Sequence, residues 1–471
     1  MAGPDSSFCT RSLCFFSGKR LSRAYYRADT FGYHQDTSGK CLQSCWLFLY
    51  DEGIGAWIER CNLATAQYGA LPRAKIQRQY LYGRAEGVKR SYLLSVPKKI
   101  LYVSPNGYLG GAERFVLTAV KAHAQAGNFE VAILFFSDGE ACQEAERAGL
   151  NCFVLSRPFR FRSPWKLFYA LREMRNIVKS FNPDMLHLTM PYAHIALSLA
   201  TLGLNLKKVW FQQGPVGGRL DQIANLFPVD MIFYNSLYLQ EMHRKAWPPA
   251  RVRVQETIIR YGVESCSNAH SILMHSPLIL GTAGRICSWK GFHNILYALG
   301  ELKSEGALRP FKLHIAGDAK TPHDQRYKQD LLNLTRTLQL TDEVEFLGHK
   351  GKMDDFYQSV DLFIHSSIIP EPFGLVVAEA MINGCLVIVS DDGGVRDIVK
   401  DGMNGLTFTS TTSNAVTDLK KQLSIFLKLK NNFEAKKYQT IAEQGRQFIQ
   451  NNYSIPQMRA QLEELYLKLS V

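Results

Sequence analysis

"LFIHSSIIPEPFGLVVAEAMINGCLVIVSD", residues 362–391, decides the fold of this chain. The apolar runs "LFIHSS" and "LVIVSD" flank a segment that reads as a helix from Gly374 onward. Short β-branched runs joined through a helix mean buried parallel strands. The helix itself is apolar nearly all round, which puts it inside. Yet it carries Glu379, whose neighbours at three and four residues are Leu375, Val376, Ile382 and Asn383, none of them a cation. No local ion pair accounts for that carboxylate. It needs hydrogen-bond donors from a remote side chain or from a ligand.

The same alternation extends outward in both directions. Before it, "ILYVSP", "EVAILFFS", "CFVLS", "MLHLTM", "VWFQQG" and "MIFYNS" alternate with helical stretches such as "GAERFVLTAVKAHAQAG". A second series runs "LILGTAGRI", "KLHIAG", "VEFLG", "LFIHSS", "LVIVSD" and "LTFT". Two such series predict two α/β domains, each a doubly wound parallel sheet. The expected division is an extension over 1–92, an amino-terminal domain over 93–265, a carboxyl-terminal domain over 266–455, and a last helix over 456–471 that packs back toward the amino-terminal domain. In open parallel sheets ligands sit beyond the carboxyl ends of the strands, so two facing sheets share one cleft.

Bulk composition narrows the class. The chain has 471 residues, 46% apolar and 21% charged, as in globular proteins. Its longest nearly apolar stretch, "AHIALSLATLGL" at 193–204, falls short of the ~20 residues needed to cross a bilayer. A formal charge of +13 implies an anionic partner, whether phosphate, nucleic acid or an acidic membrane surface. Nucleic acid has no supporting fold or aromatic platform. An NAD-linked enzyme lacks its G-x-G-x-x-G turn between strand and helix. Cys152, Cys287 and Cys385 sit among apolar residues and read as reduced thiols, which predicts a cytoplasmic location.

The first 92 residues carry 13 Lys and Arg against 7 Asp and Glu and show no sustained period. They read as a poorly ordered extension, dispensable for catalysis. Two other readings stand beside it. Residues 6–28 have five basic residues and no acidic one, as in organellar transit peptides. Cys9, Cys14, Cys41 and Cys45 have loose zinc spacing.

Four loops after strands concentrate the chemistry. In "PNGYLGGAER", Gly110 and Gly111 allow close backbone approach at a helix amino terminus, or simply make a strand-to-helix turn. In "AGRICSWKG", Arg285 and Lys290 lie five apart and suit two phosphates. In "DDGGVRDIVKDGMNG", Gly393 and Gly394 let amides approach a sugar, a reading preferred over a metal on Asp391 and Asp392 because a lone carboxylate pair lacks further ligands. In "EPFGLVVAEA", the free amides of Phe373 to Val376 suit a phosphate, and a ribose diol would give Glu379 its two donors.

With its E-x7-E spacing, together with "GRICSWKG", "HIAGD", "VEFLGHKG", "GGVRDIVKDGMNGLTF" and "GGAERFVLTAV", the chain resembles the retaining glycosyltransferases of family 4, which have the GT-B fold. The resemblance covers about residues 97–467 and leaves the first 92 uncovered. It implies that Glu379 holds the ribose hydroxyls, Arg285 and Lys290 the diphosphate, and Glu371 the transferred sugar. The amides of Phe373, Gly374 and Leu375 would face diphosphate and sugar, and Gly348, His349 and Lys350 would lie near the base. Family members often have a histidine where "FQQGPVGG" has Gln213. Gln213 can bond a sugar hydroxyl but cannot accept a proton. His187 and His194, the nearest histidines, read as structural.

The resemblance implies transfer of a sugar, with retention and without metal or cofactor, from a nucleotide diphosphate sugar to a hydroxyl of a glycan or lipid-linked acceptor. Surface polysaccharide or glycolipid synthesis is the expected setting. A GT-B nucleotide-sugar isomerase or epimerase is one rival, and a nucleotide-sugar-binding or membrane-surface protein without turnover another. "RPFRFRSPWKLFYALREMRNIVKSF", residues 157–181, holds seven basic residues and one acidic one, interleaved with aromatic residues. From Ser163, an expected N-cap, it reads as a helix whose Leu167, Leu171, Met174 and Val178 face the sheet. Its basic face is either merely solvated or rests on an anionic membrane, which would make the protein peripheral on the inner membrane face.

Overall fold

The computed structural model describes residues 99–247, 254–264, 276–306, 308–410, 414–428 and 432–470. The extension over 1–92, with its targeting and zinc readings, lies outside the described residues, as does most of the aperiodic stretch around 265–275.

Thirteen strands build two sheets among the described residues. The first comprises β1 (Lys99–Ser104), β2 (Glu130–Phe135), β3 (Asn151–Val154), β4 (Met185–Thr189), β5 (Lys207–Gln212), β6 (Met231–Tyr234) and β7 (Gln255–Ile258), ordered β3-β2-β1-β4-β5-β6-β7. The second comprises β8 (Leu278–Ala283), β9 (Phe311–Ala316), β10 (Val344–Gly348), β11 (Leu362–His365), β12 (Leu386–Ser390) and β13 (Leu406–Phe408), ordered β10-β9-β8-β11-β12-β13. All pairings are parallel. Every helix between them is therefore a crossover that covers a face, and the central strands are buried throughout, as in β4, β6, β11 and β12. This is the GT-B arrangement.

β7 is absent from the sequence reading. Its "QETI" has three polar residues of four, on an edge strand covered less than its neighbours, and so lacks the apolar run that marks a central strand.

The helix Ile455–Ser470 leaves the second sheet's helices and packs on the helix Gly111–Ala126 beside the first sheet. Its Tyr466 hydroxyl is 2.8 Å from the Tyr102 hydroxyl and 2.7 Å from His187 Nδ1, all fully buried. Burial pushes the His187 imidazole down to about 3, with His123 adding to the effect. Burial likewise takes His194, stacked on Trp210, to about 4. Both histidines are neutral parts of the core. The domains also meet through rings: Tyr261 and Phe373 lie 4.7 Å apart. The Leu237 amide donates to Asp397 Oδ2 at 2.7 Å from one domain to the other.

Candidate active site in the interdomain cleft

The carboxyl ends of β8, β9, β10 and β11 deliver the second domain's side of the cleft. β8 ends at Ala283 and the chain turns through Gly284, where φ is +144. Gly317, after β9, approaches so closely that an added Cβ would stand 1.9 Å from the Gly284 carbonyl oxygen, so only glycine fits there. These turns bring Arg285, half-exposed, and Lys290, buried, to the cleft. Trp289 adds an aromatic face, its ring centre 4.7 Å from Lys290 Nζ.

The helix Leu375–Ile382 begins at Gly374 with φ +92, a conformation costly for any residue with a side chain. Val377 and Ala378 both donate back to the Gly374 carbonyl. The amides of Leu375 and Val376 find no hydrogen-bond acceptor among the described residues, and both residues line the cleft. They are the open donors of a helix start.

A cavity of about 410 Å³ joins both domains. Gly110, Gly111 and Arg114 line it from the first domain, and Arg285, Lys290, Lys320, His349, Lys350, Glu371, Leu375 and Glu379 from the second. Residues scattered over 270 positions of sequence thus share one wall-to-wall space, with five of the lining side chains cationic Lys or Arg. Gly348 closes β10 with φ +67, and its carbonyl takes the Gly317 amide at 2.8 Å, which aims the following His349 and Lys350 into the cleft.

The cations are not idle. Lys290 Nζ lies 2.6 Å from Glu371 Oε1. Arg285 Nε lies 3.1 Å from Asp324 Oδ2. Asp324 also caps its own helix through Thr321, so it is fixed. Burial pushes the Glu371 carboxyl up, but Lys290 and His365 outweigh it and hold the group well below the ordinary carboxylate range. For Glu379 the balance is reversed. Burial raises its pKa, and Arg114 across the cleft and the Tyr357 hydroxyl, which donates to Oε2 at 2.8 Å, offset only part of this. Tyr357 is the remote donor that the apolar helix lacks.

One expectation needs correction. Gly393 and Gly394 do not offer free amides to a sugar: the Gly393 amide donates to Asp392 Oδ1 and the Gly394 amide to the Glu371 carbonyl. Their role is close packing, since a Cβ on Gly394 would stand 2.0 Å from the Pro372 carbonyl oxygen. Asp391, the other carboxylate considered beside them, pairs with Arg396. At Phe373 the expectation concerned the backbone amide; its ring packs in the interdomain core against Tyr261. Gln213, expected in an acceptor or phosphate loop, is 5% exposed, with neither side-chain polar atom hydrogen-bonded among the described residues.

Sequence reasoning missed Arg114, Asp324, Tyr357 and His365. Arg114 and Tyr357 come from remote elements and carry no local signal. His365 carried one: it is the single polar residue in the strand "LFIH" directly before the E-x7-E loop.

Comparison with known proteins gives the class. The family described as Glycosyltransferase Family 4 matches residues 109–259, and Glycosyl transferases group 1 matches residues 270–448, together more than two thirds of the chain. The chain belongs to the family 4 glycosyltransferases with the GT-B fold. It is 22% identical to an uncharacterized glycosyltransferase of Haemophilus influenzae, over 70% of this chain and 90% of that protein. It is 25% identical to the lipopolysaccharide core biosynthesis glycosyltransferase LpsE of Rhizobium meliloti, over 63% of this chain and 80% of that one. The fold is similar to that of Anabaena HepE in complex with UDP and glucose, with TM-score 0.65 and 21% identity, over 78% of this chain and 99% of that one.

Proposed function

We propose that the protein transfers a sugar, with retention of configuration, from a nucleotide diphosphate sugar to a hydroxyl of a glycan or lipid-linked acceptor. The observation that carries this is the single cleft in which Arg285, Lys290 and the open amides of Leu375 and Val376 meet Glu371 and Glu379. Cations and helix amides stabilise the diphosphate as negative charge develops on it, and they do so without requiring a metal. Glu379 accepts the ribose hydroxyls, beside Tyr357 and opposite Arg114. Glu371, kept ionised, accepts from the donor sugar. UDP and glucose bound to HepE, and lipopolysaccharide core synthesis by LpsE, favour a nucleotide-sugar donor and a surface-polysaccharide acceptor.

The acceptor side is a larger cavity of about 940 Å³ in the first domain, lined by Phe136, Pro158, Met190, Tyr192, Pro215 and Leu220 with Arg160 and Arg219. An apolar trough with two guanidinium groups suits an amphipathic anionic acceptor. The helix Pro164–Phe181 starts beside it, and Trp165, Phe168 and Tyr169 on it are exposed. Among the described residues no helix is long and apolar enough to cross a membrane. Peripheral contact through this helix therefore fits the acceptor reading. Proton NMR of nucleotide sugars incubated with the protein tests the whole: transfer with retention to an added acceptor supports it, whereas epimerised donor without acceptor would favour the isomerase reading.

A further inference from the structure

Glu371 has two carboxylate oxygens, and the protein directs three donors at one of them. Oε1 lies 2.6 Å from Lys290 Nζ and 2.7 Å from His365 Nε2, and the Ser367 hydroxyl donates to it as well. No hydrogen bond to Oε2 is found among the described residues, and Glu371 lines the cleft. The strand end is built around this carboxylate. His365 closes β11 and is 4% exposed, while the next hydroxyl, Ser366, donates to the Lys290 carbonyl at 3.0 Å. A carboxylate only accepts, so His365 Nε2 carries the proton. Ser390 at the end of β12 has its hydroxyl 3.2 Å from Nδ1, the donor that this tautomer needs.

Lys290 is asked to do two things. It holds Glu371, yet under the function proposed above it is also a cation for the donor diphosphate. On turning to the phosphate it must loosen its hold on Oε1. We propose that His365 is a positioning residue for the donor sugar: with Ser367 it keeps Glu371 ionised and oriented, Oε2 toward the cleft, while Lys290 engages the diphosphate. Lys290, from the turn Ser288–Lys290, and His365, from β11, are the titratable groups that set the ionisation of Glu371. A ring anchored at a strand end by two neighbouring strands gives a fixed direction, which a lysine on a flexible stem does not.

The test uses the full chain and its His365→Leu, His365→Gln and Ser390→Ala variants with UDP-, GDP- and ADP-sugars as donors. Loss of one charged hydrogen bond corresponds to about 10- to 100-fold in turnover. For His365→Leu the expected result is kcat lower by about that factor, with affinity for the matching nucleoside diphosphate held within about twofold. The acid limb of the kcat profile should move to higher pH, because Glu371 loses a donor that favours its ionised form. His365→Gln, whose amide can donate along the same direction, should recover most of the turnover. Ser390→Ala, which disturbs only the ring's second contact, should shift the same limb by less. An unchanged kcat and limb in His365→Leu would overturn the inference. So would equal loss of nucleotide affinity, melting temperature and kcat in His365→Leu with Ser390→Ala at wild-type values, which is the mark of a merely structural histidine. A wild-type protein that turns over none of the sugars strikes instead at the proposed function.

Discussion

Lys290 Nζ and Glu371 Oε1 form an ion pair of 2.6 Å whose side chains are only about a tenth exposed, 10% and 11%. In the proposed site each of these two groups also serves the charged donor. Removing one partner of a buried pair leaves the other uncompensated, so Lys290→Ala should cost about 3 kcal/mol of stability. Lys290→Met combined with Glu371→Gln should recover most of that stability in denaturant melts, with turnover still absent. Because the folded-state pKa of Glu371 is lowered, its contribution is complete above the ordinary carboxylate range and is lost as pH falls through the lowered value. Recovery of turnover in the double variant would contradict the assigned roles.

Glu379 titrates in the opposite sense. Its folded-state pKa is raised, so on acidification it becomes protonated before an ordinary carboxyl would. Ribose hydroxyls need the ionised acceptor. Nucleoside diphosphate affinity should therefore increase with pH through the raised pKa and then level off, and in Glu379→Gln the affinity should fall about 10-fold or more and lose this dependence. Calorimetry at several pH values reads both effects, and an identical pH dependence in the variant would assign the titration elsewhere.

The proposed diphosphate site, lined by five cationic side chains, predicts turnover that survives exhaustive EDTA treatment. Complete loss, restored by magnesium or manganese, would replace this mechanism with a metal-assisted one.

The proposed membrane contact makes a surface prediction. Trp165, Phe168 and Tyr169 are 78%, 57% and 61% exposed, while Phe159 and Phe161 have turned inward onto Tyr192. Arg175 is bound to the carbonyls of Ala200 and Leu202 and is excluded from the basic face. Co-sedimentation with vesicles containing anionic lipid should therefore fall when Arg157, Arg160, Arg162 and Lys166 become glutamine, and fall again when Trp165 and Phe168 become serine. Unchanged sedimentation in both sets would leave this helix a solvated face.

The fold was legible in the sequence wherever a strand is central and so must be apolar on both faces, as in "LVIVS" and "MIFY". Of the edge strands, β3, β10 and β13 keep enough apolar residues to be read, and β7, "QETI", does not. Ser163 precedes the helix Pro164–Phe181 as read, yet its side chain makes no capping bond, with Pro164 removing one amide that would need it. In the candidate site, the glutamates and cations stood out because charges in apolar surroundings are costly. What sets the pKa of Glu379 did not, because Arg114 and Tyr357 are brought to it by tertiary packing. The two glycines after β12 show the reverse error: their freedom serves a backbone crossing and not a ligand.

The central claim, that this cleft holds the diphosphate of a nucleotide sugar, is tested most directly by calorimetric titration with UDP, GDP and ADP and with the corresponding monophosphates. One diphosphate should bind one-to-one and at least about tenfold more tightly than its monophosphate, an advantage lost in Arg285→Ala because the second phosphate loses a charged contact. No binding by any of the three diphosphates, or equal affinity for diphosphate and monophosphate, would contradict it.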